Sequence, residues 1–235
     1  MTNRWAVELK GTEADLQYWR DALKPEFDPF VSDRKCGDRI LLALEAKKFQ
    51  GAVNSIELMD IADVLIRVVN GVFFSDGNPT DVIAGRALEI LPDGSIRSHY
   101  VIRAGTCEIF LPRVRVNGVG QAIDSEGNLI IQPREPSFVQ KAIALAERHL
   151  LLQEALIELS PTSDWHSLYR VFEMLMANSA TKQLRSTNKR KRFSRSANTN
   201  GTRHRLKPEE KFDNPQSIMD ARVFIADWLA DALRL

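Results

Sequence analysis

At Pro133-Arg134-Glu135-Pro136 the hydrophobic period of the chain changes, and that change constrains the architecture more than any other feature. Upstream, "RWAVELKG" alternates Trp5, Val7 and Leu9 with polar neighbours, the two-residue period of a half-buried strand. Downstream, apolar residues recur at three- and four-residue spacing, the period of helices with one buried side. The pattern therefore predicts an α+β protein. Residues 1–132 form a mostly antiparallel sheet of about five strands with one or two helices. Residues 136–235 form an all-α helical bundle.

Turn and cap signals refine this outline. Thr12 caps a helix through "EADLQYWRDALK", and Asn54 or Ser55 caps one through "IELMDIADVLIRVVNGVFF". "FDPFVSD" and "RILLALEA" read as two strands joined across "RKCGD". "PDG" at 92–94 joins "VIAGRALEIL" to "SIRSHYVIRA", and "TCEIFLPRVRV" and "LIIQ" read as further strands. In the second half, "SFVQKAIALAERHLLLQEALIELS" is one bent helix or two. "SDWHSLYRVFEMLMANS" buries Trp165, Leu168, Tyr169, Phe172, Leu175 and Met176. "NPQSIMDARVFIADWLADALRL" turns Ala221, Phe224, Ile225, Trp228, Leu229 and Leu233 inward.

Charge is where function enters. The net charge is only +1, yet from Met174 to Pro208 there is no Asp or Glu and ten Lys or Arg. The rest of the chain is therefore net acidic. We read 179–207 as a basic, Ser/Thr/Asn-rich loop with two alternative roles. It is either a solvated connection between helices or a surface for a phosphate backbone. In the second role Arg185, Lys189, Arg190, Lys191, Arg192, Arg195 and Arg205 bind the backbone, and Phe193 stacks on a base.

Histidine titrates near neutral pH, so His204 is a candidate acid and base, with Arg203 stabilising developing charge and Asn198 orienting the ring. The alternative for His204 is a structural role, hydrogen-bonding its neighbours at the junction of two helices. Glu173 is expected to turn inward, where a cation of the basic segment pairs with it. His149 and His166 fall on helices that read as packed, and no His, Cys and carboxylate share metal-ligand spacing. The expected chemistry calls for no metal or cofactor. Two isolated cysteines, Cys36 and Cys107, and the lack of a long apolar run point to a reduced, cytoplasmic protein with no membrane span.

"SDWHSLYRVFEML", "FSRSANTNGTRHR" and "NPQSIMDARVFIADWLADAL" together resemble the C-terminal half of a widespread set of bacterial proteins. Their order of helix, polar Asn/Arg/His loop and closing helix is similar to HEPN domains. That resemblance implies a helical bundle, often a homodimer, acting as a metal-independent ribonuclease or an RNA-binding module in antiviral defence, toxin–antitoxin or stress systems. It carries over His204, Arg203 and Asn198, with Arg195 beside them. Active members keep a short gap between Arg and His; here Arg203 adjoins His204 and Arg195 lies further upstream. The competing expectation is a non-enzymatic interaction protein. Its basic segment docks on an acidic partner or on its own N-terminal domain. For residues 1–132 three roles stand open: sensing a signal, contacting a protein partner, or building the oligomer.

Overall fold

The computed structural model describes residues 4–101, 135–199 and 215–235. They form five strands, eight α-helices and a 3-10 turn, an α+β fold with an antiparallel sheet followed by helices. They divide into two compact units. The division crosses one helix after Met59, so residues 60–80 belong with the C-terminal helices, and the sheet unit extends to Gln140.

In the sheet unit the strands are β1 (Arg4–Lys10), β2 (Phe30–Cys36), β3 (Arg39–Glu45), β4 (Ile83–Ile90) and β5 (Ile96–His99), with helix α1 (Glu13–Ala22). The sheet order is β2-β3-β1-β4-β5, with every pairing antiparallel. Thr12 caps α1 as its sequence predicts, accepting from the Asp15 N–H. The predicted turn at 92–94 is present. Gly94 sits at φ 82°, a left-handed conformation that favours glycine, and Asp93 accepts from the Ser95 N–H at 2.9 Å.

One face of the sheet joins a small apolar centre of Ala6, Ala43, Leu88 and Ile90 to buried carboxylates. Glu45, 2% exposed, pairs with Arg4 at 2.8 Å, with Arg34, and with the Ser32 hydroxyl at 2.6 Å. Glu8 accepts from the Arg86 guanidinium at 2.7 Å. Burial pushes the Glu8 carboxyl up. The hydrogen bonds and charge of Arg86 outweigh burial and hold it below the usual carboxylate range. Gln140 is 2% exposed and closes this unit by donating to the carbonyls of Lys24, Phe27 and Pro29 at 2.9–3.1 Å.

Helix α2 (Ser55–Ser75) is the element that both units share in sequence. Asn54 caps it, accepting from the Ile56 and Glu57 N–H groups. In its helical-unit half it is apolar on nearly every side, burying Ala62, Leu65, Ile66, Val68, Val69, Val72 and Phe73. Expectation grouped this helix with the sheet, whereas its greater part belongs to the helical unit. A glycine accounts for that packing. A Cβ on Gly71 would lie 2.2 Å from the Leu156 carbonyl oxygen, so the backbones of α2 and α4 (Leu150–Glu158) meet with no room for a side chain.

The predicted long helix after Pro136 is two: α3 (Phe138–Ala146) and α4, broken at 147–149. Then come α5 (Trp165–Ala177), capped by Asp164, α6 (Ser179–Gln183), α7 (Thr187–Thr199) and α8 (Ile218–Ala232). Ser217 and Asp220 form a reciprocal capping box at the start of α8. The expected strands "TCEIFLPRVRV" and "LIIQ" lie outside the described residues.

Candidate nucleic-acid interface

The basic segment is not a loop where it is described. Residues 179–183 and 187–199 are the helices α6 and α7, and α7 is built into the bundle. The expectation failed because the buried stripe of α7 is one aromatic ring and two small residues, Phe193, Ser196 and Ala197, among cations. Such a stripe carries little apolar signal, although its three- and four-residue spacing is helical.

Phe193 is the anchor of α7 and is fully buried. Its ring stacks on Phe172 at 5.0 Å between centroids and meets Phe224 at 5.6 Å and Trp165 at 6.0 Å. This corrects the expectation that Phe193 stacks on a base: a ring enclosed by three others presents no face to a ligand. Ser196, also fully buried, donates to the Arg192 carbonyl and accepts from the Gln216 N–H, both at 2.9 Å. It thereby ties the entry of α8 to α7. Trp228 donates its indole N–H to the Thr181 carbonyl at 2.7 Å and secures α6 in the same way.

With that stripe buried, the opposite side of α7 faces solvent. Asn188, Lys191, Arg192, Arg195 and Thr199 are all exposed, and their spacing is that of one helical face. Lys189 is exposed at its flank. Among the described residues no carboxylate pairs with Lys189, Lys191 or Arg192.

The other expected cations are occupied. Arg185 is 13% exposed in its side chain and is bound to Asp231 of α8 at 2.5 Å and to the Leu184 carbonyl at 3.0 Å. It joins α8 to the approach to α7, and to serve a ligand it would have to leave Asp231. Arg190 lies against Met176 and donates to the Thr187 hydroxyl at 3.1 Å.

The expected catalytic cluster is divided. Arg203 and His204, with the neighbouring Arg205, lie outside the described residues. Asn198 is in the last turn of α7, and its side-chain oxygen is buried with no hydrogen-bond partner among the described residues. Glu173 is exposed on α5, not turned inward. His149 and His166 are exposed as well, the former as the N-cap residue of α4. Among the described residues no three His, Cys, Asp or Glu side chains come together as a metal site.

Beside the basic face runs a groove of about 300 Å³ between α7 and α8. Lys189 and Arg192 line it from α7, and Asp220, Val223, Phe224 and Asp227 from α8. Gln216, just before α8, completes it, and the Gln216 side-chain oxygen is buried with no hydrogen-bond partner among the described residues. No ion pair joins the two walls. Sequence reasoning missed the α8 contributors. Their signal was there to read: Gln216, Asp220, Val223 and Asp227 recur at helical spacing on the side away from the inward residues.

Comparison with protein-family models, with curated proteins and with solved structures finds no match.

Proposed function

We propose that this protein binds RNA through the solvent face of α7. The observation that carries the reading is that Lys191 and Arg192 on that face, with Lys189 at its flank, have no carboxylate partner among the described residues, while Arg185 and Arg190 are taken up by the fold. Cations held on a rigid helix and left without carboxylate partners attract a polyanion through release of its condensed counterions. A basic helix pinned by Phe193 also loses less conformational entropy on binding than a solvated loop would.

The reading includes a HEPN-like relationship for the helical unit and a defence or stress setting in the cytoplasm. RNA cleavage is a separate part of it and rests on His204 with Arg203. For the described residues, no helix is long and apolar enough to cross a membrane.

Fluorescence anisotropy with a labelled single-stranded RNA at graded salt tests the binding. For a single strand each phosphate contact contributes a slope of about −0.7 in log affinity against log salt. Lys191→Gln with Arg192→Gln should weaken binding to all sequences and make the slope shallower by about 1.4. An affinity indifferent to salt, or to this double substitution, refutes the proposal. Cleavage is tested with His204→Ala, which should abolish RNA scission by the purified chain and leave the unfolding midpoint in place. Undiminished scission removes His204 from the reaction.

A further inference from the structure

We propose that the groove between α7 and α8 holds one nucleotide of a single-stranded RNA and selects guanine. The inference rests on the RNA-binding reading above and adds a base to it. The groove encloses about 300 Å³. That is the lower end of the roughly 300–1,000 Å³ of small-molecule pockets, a size that suits one nucleotide and not a duplex.

Its two walls differ in chemistry. Lys189 and Arg192 offer donors and positive charge on the α7 side, contiguous with the basic face. The α8 side offers acceptors. Asp227 is exposed and makes no ion pair among the described residues. Asp220 uses one carboxylate oxygen in the α8 cap, taking the Ser217 hydroxyl at 2.8 Å. The Gln216 side-chain oxygen is buried and has no donor among the described residues. A buried acceptor without a partner is uncommon and calls for one. Val223 and Phe224, also on the α8 side, give an apolar surface for a base plane.

A ligand that satisfies both walls has an anionic end and an edge of adjacent donors. A nucleotide has the first in its phosphate. Among the four RNA bases only guanine presents a ring N–H beside an exocyclic amine on its Watson–Crick edge, a fork that fits a carboxylate with two parallel hydrogen bonds. Adenine and cytosine each place a ring acceptor beside the amine, which would confront the Asp227 carboxylate with a lone pair. Uracil has one N–H between two carbonyls.

The test uses the full chain and labelled uridine decamers carrying one central guanine, hypoxanthine, adenine or cytosine, or none. The guanine decamer should bind roughly tenfold more tightly than the uridine one. Hypoxanthine, which keeps the ring N–H and lacks the amine, should fall between them. Asp227→Asn should remove the preference, read as equal affinity of that variant for the guanine and the plain uridine decamers. Asp227 is exposed, so its thermal midpoint should not move.

Equal binding of all decamers by the unaltered chain, or a guanine preference that survives Asp227→Asn, overturns the guanine site and leaves RNA binding standing. No binding of any decamer overturns both. If Val223→Arg converts a dimer to a monomer in sedimentation and leaves RNA affinity untouched, the groove is a protein interface and the guanine site is refuted.

Discussion

Truncating Phe193 to alanine separates a packed α7 from a solvated basic segment. The ring is fully buried against Phe172, Phe224 and Trp165. A buried aromatic side chain removes about 150–250 Å² from water, which at about 25 cal/mol per Å² is about 4–6 kcal/mol. The unfolded chain already shields part of that area, which lowers the figure to about 3–5 kcal/mol. That agrees with the usual loss for truncating a core Phe to Ala. A domain of this size loses about 2–4 °C of melting midpoint per kcal/mol, so the helical unit should melt roughly 10 °C lower.

Far-UV circular dichroism reports the loss of helix, and the fluorescence of Trp165 and Trp228 reports the same cluster directly. Phe193→Leu keeps most of the volume and should cost less than about 1.5 kcal/mol. If Phe193→Ala melts within about 2 °C of the parent, a sensitivity set by the same scale, the ring is not in the core and the packing argument for α7 fails. A loss of RNA affinity with no loss of stability would instead restore Phe193 as a base-stacking residue.

Three further outcomes follow from the same structure. Ser196→Ala removes the acceptor of the Gln216 N–H and should destabilise by about 1–3 kcal/mol, read as a lowered urea midpoint with an unchanged slope; an unchanged midpoint would mean the bond does not hold α8 to α7. Gly71→Ala would set a methyl group 2.2 Å from the Leu156 carbonyl and should cost at least about 1–3 kcal/mol by forcing α2 and α4 apart. A neutral Gly71→Ala would show that those backbones do not meet. Glu8 titrates below its unfolded value of about 4.3, so its stabilisation is complete above that pH and is lost as pH falls through the lower folded value. Glu8→Gln should therefore flatten the dependence of the unfolding midpoint on pH at the acid side, and an identical acid slope would refute the role given to Arg86.

The α7–α8 interface shows where sequence and structure part. Ser217 and Asp220 are three residues apart before an apolar-periodic run, and that local pattern marks the start of α8 without any tertiary information. The same holds for Thr12, Asp164 and the turn at Gly94. Arg185 and Lys191 show the opposite case. Both are cations of one acid-free run, and nothing local separates them. One is tied to Asp231, distant in sequence, and the other faces solvent. The groove likewise needs α7 and α8 side by side before Lys189 and Asp227 line one space.

Taken alone, the sequence determined the class of fold, the order of most described elements, their caps and turns, and the concentration of positive charge near the C-terminal end. These depend on interactions within a few residues and on the period of apolar side chains, which a linear text records. The tertiary structure alone decided that the described part of the basic segment, up to Thr199, is mostly helical, that Phe193 is core, that α2 belongs mainly with the helical unit, and which of its described cations are paired. Those outcomes depend on partners far apart in the chain, and a short stripe of one ring and two small residues becomes a helix face only when another surface is there to bury it.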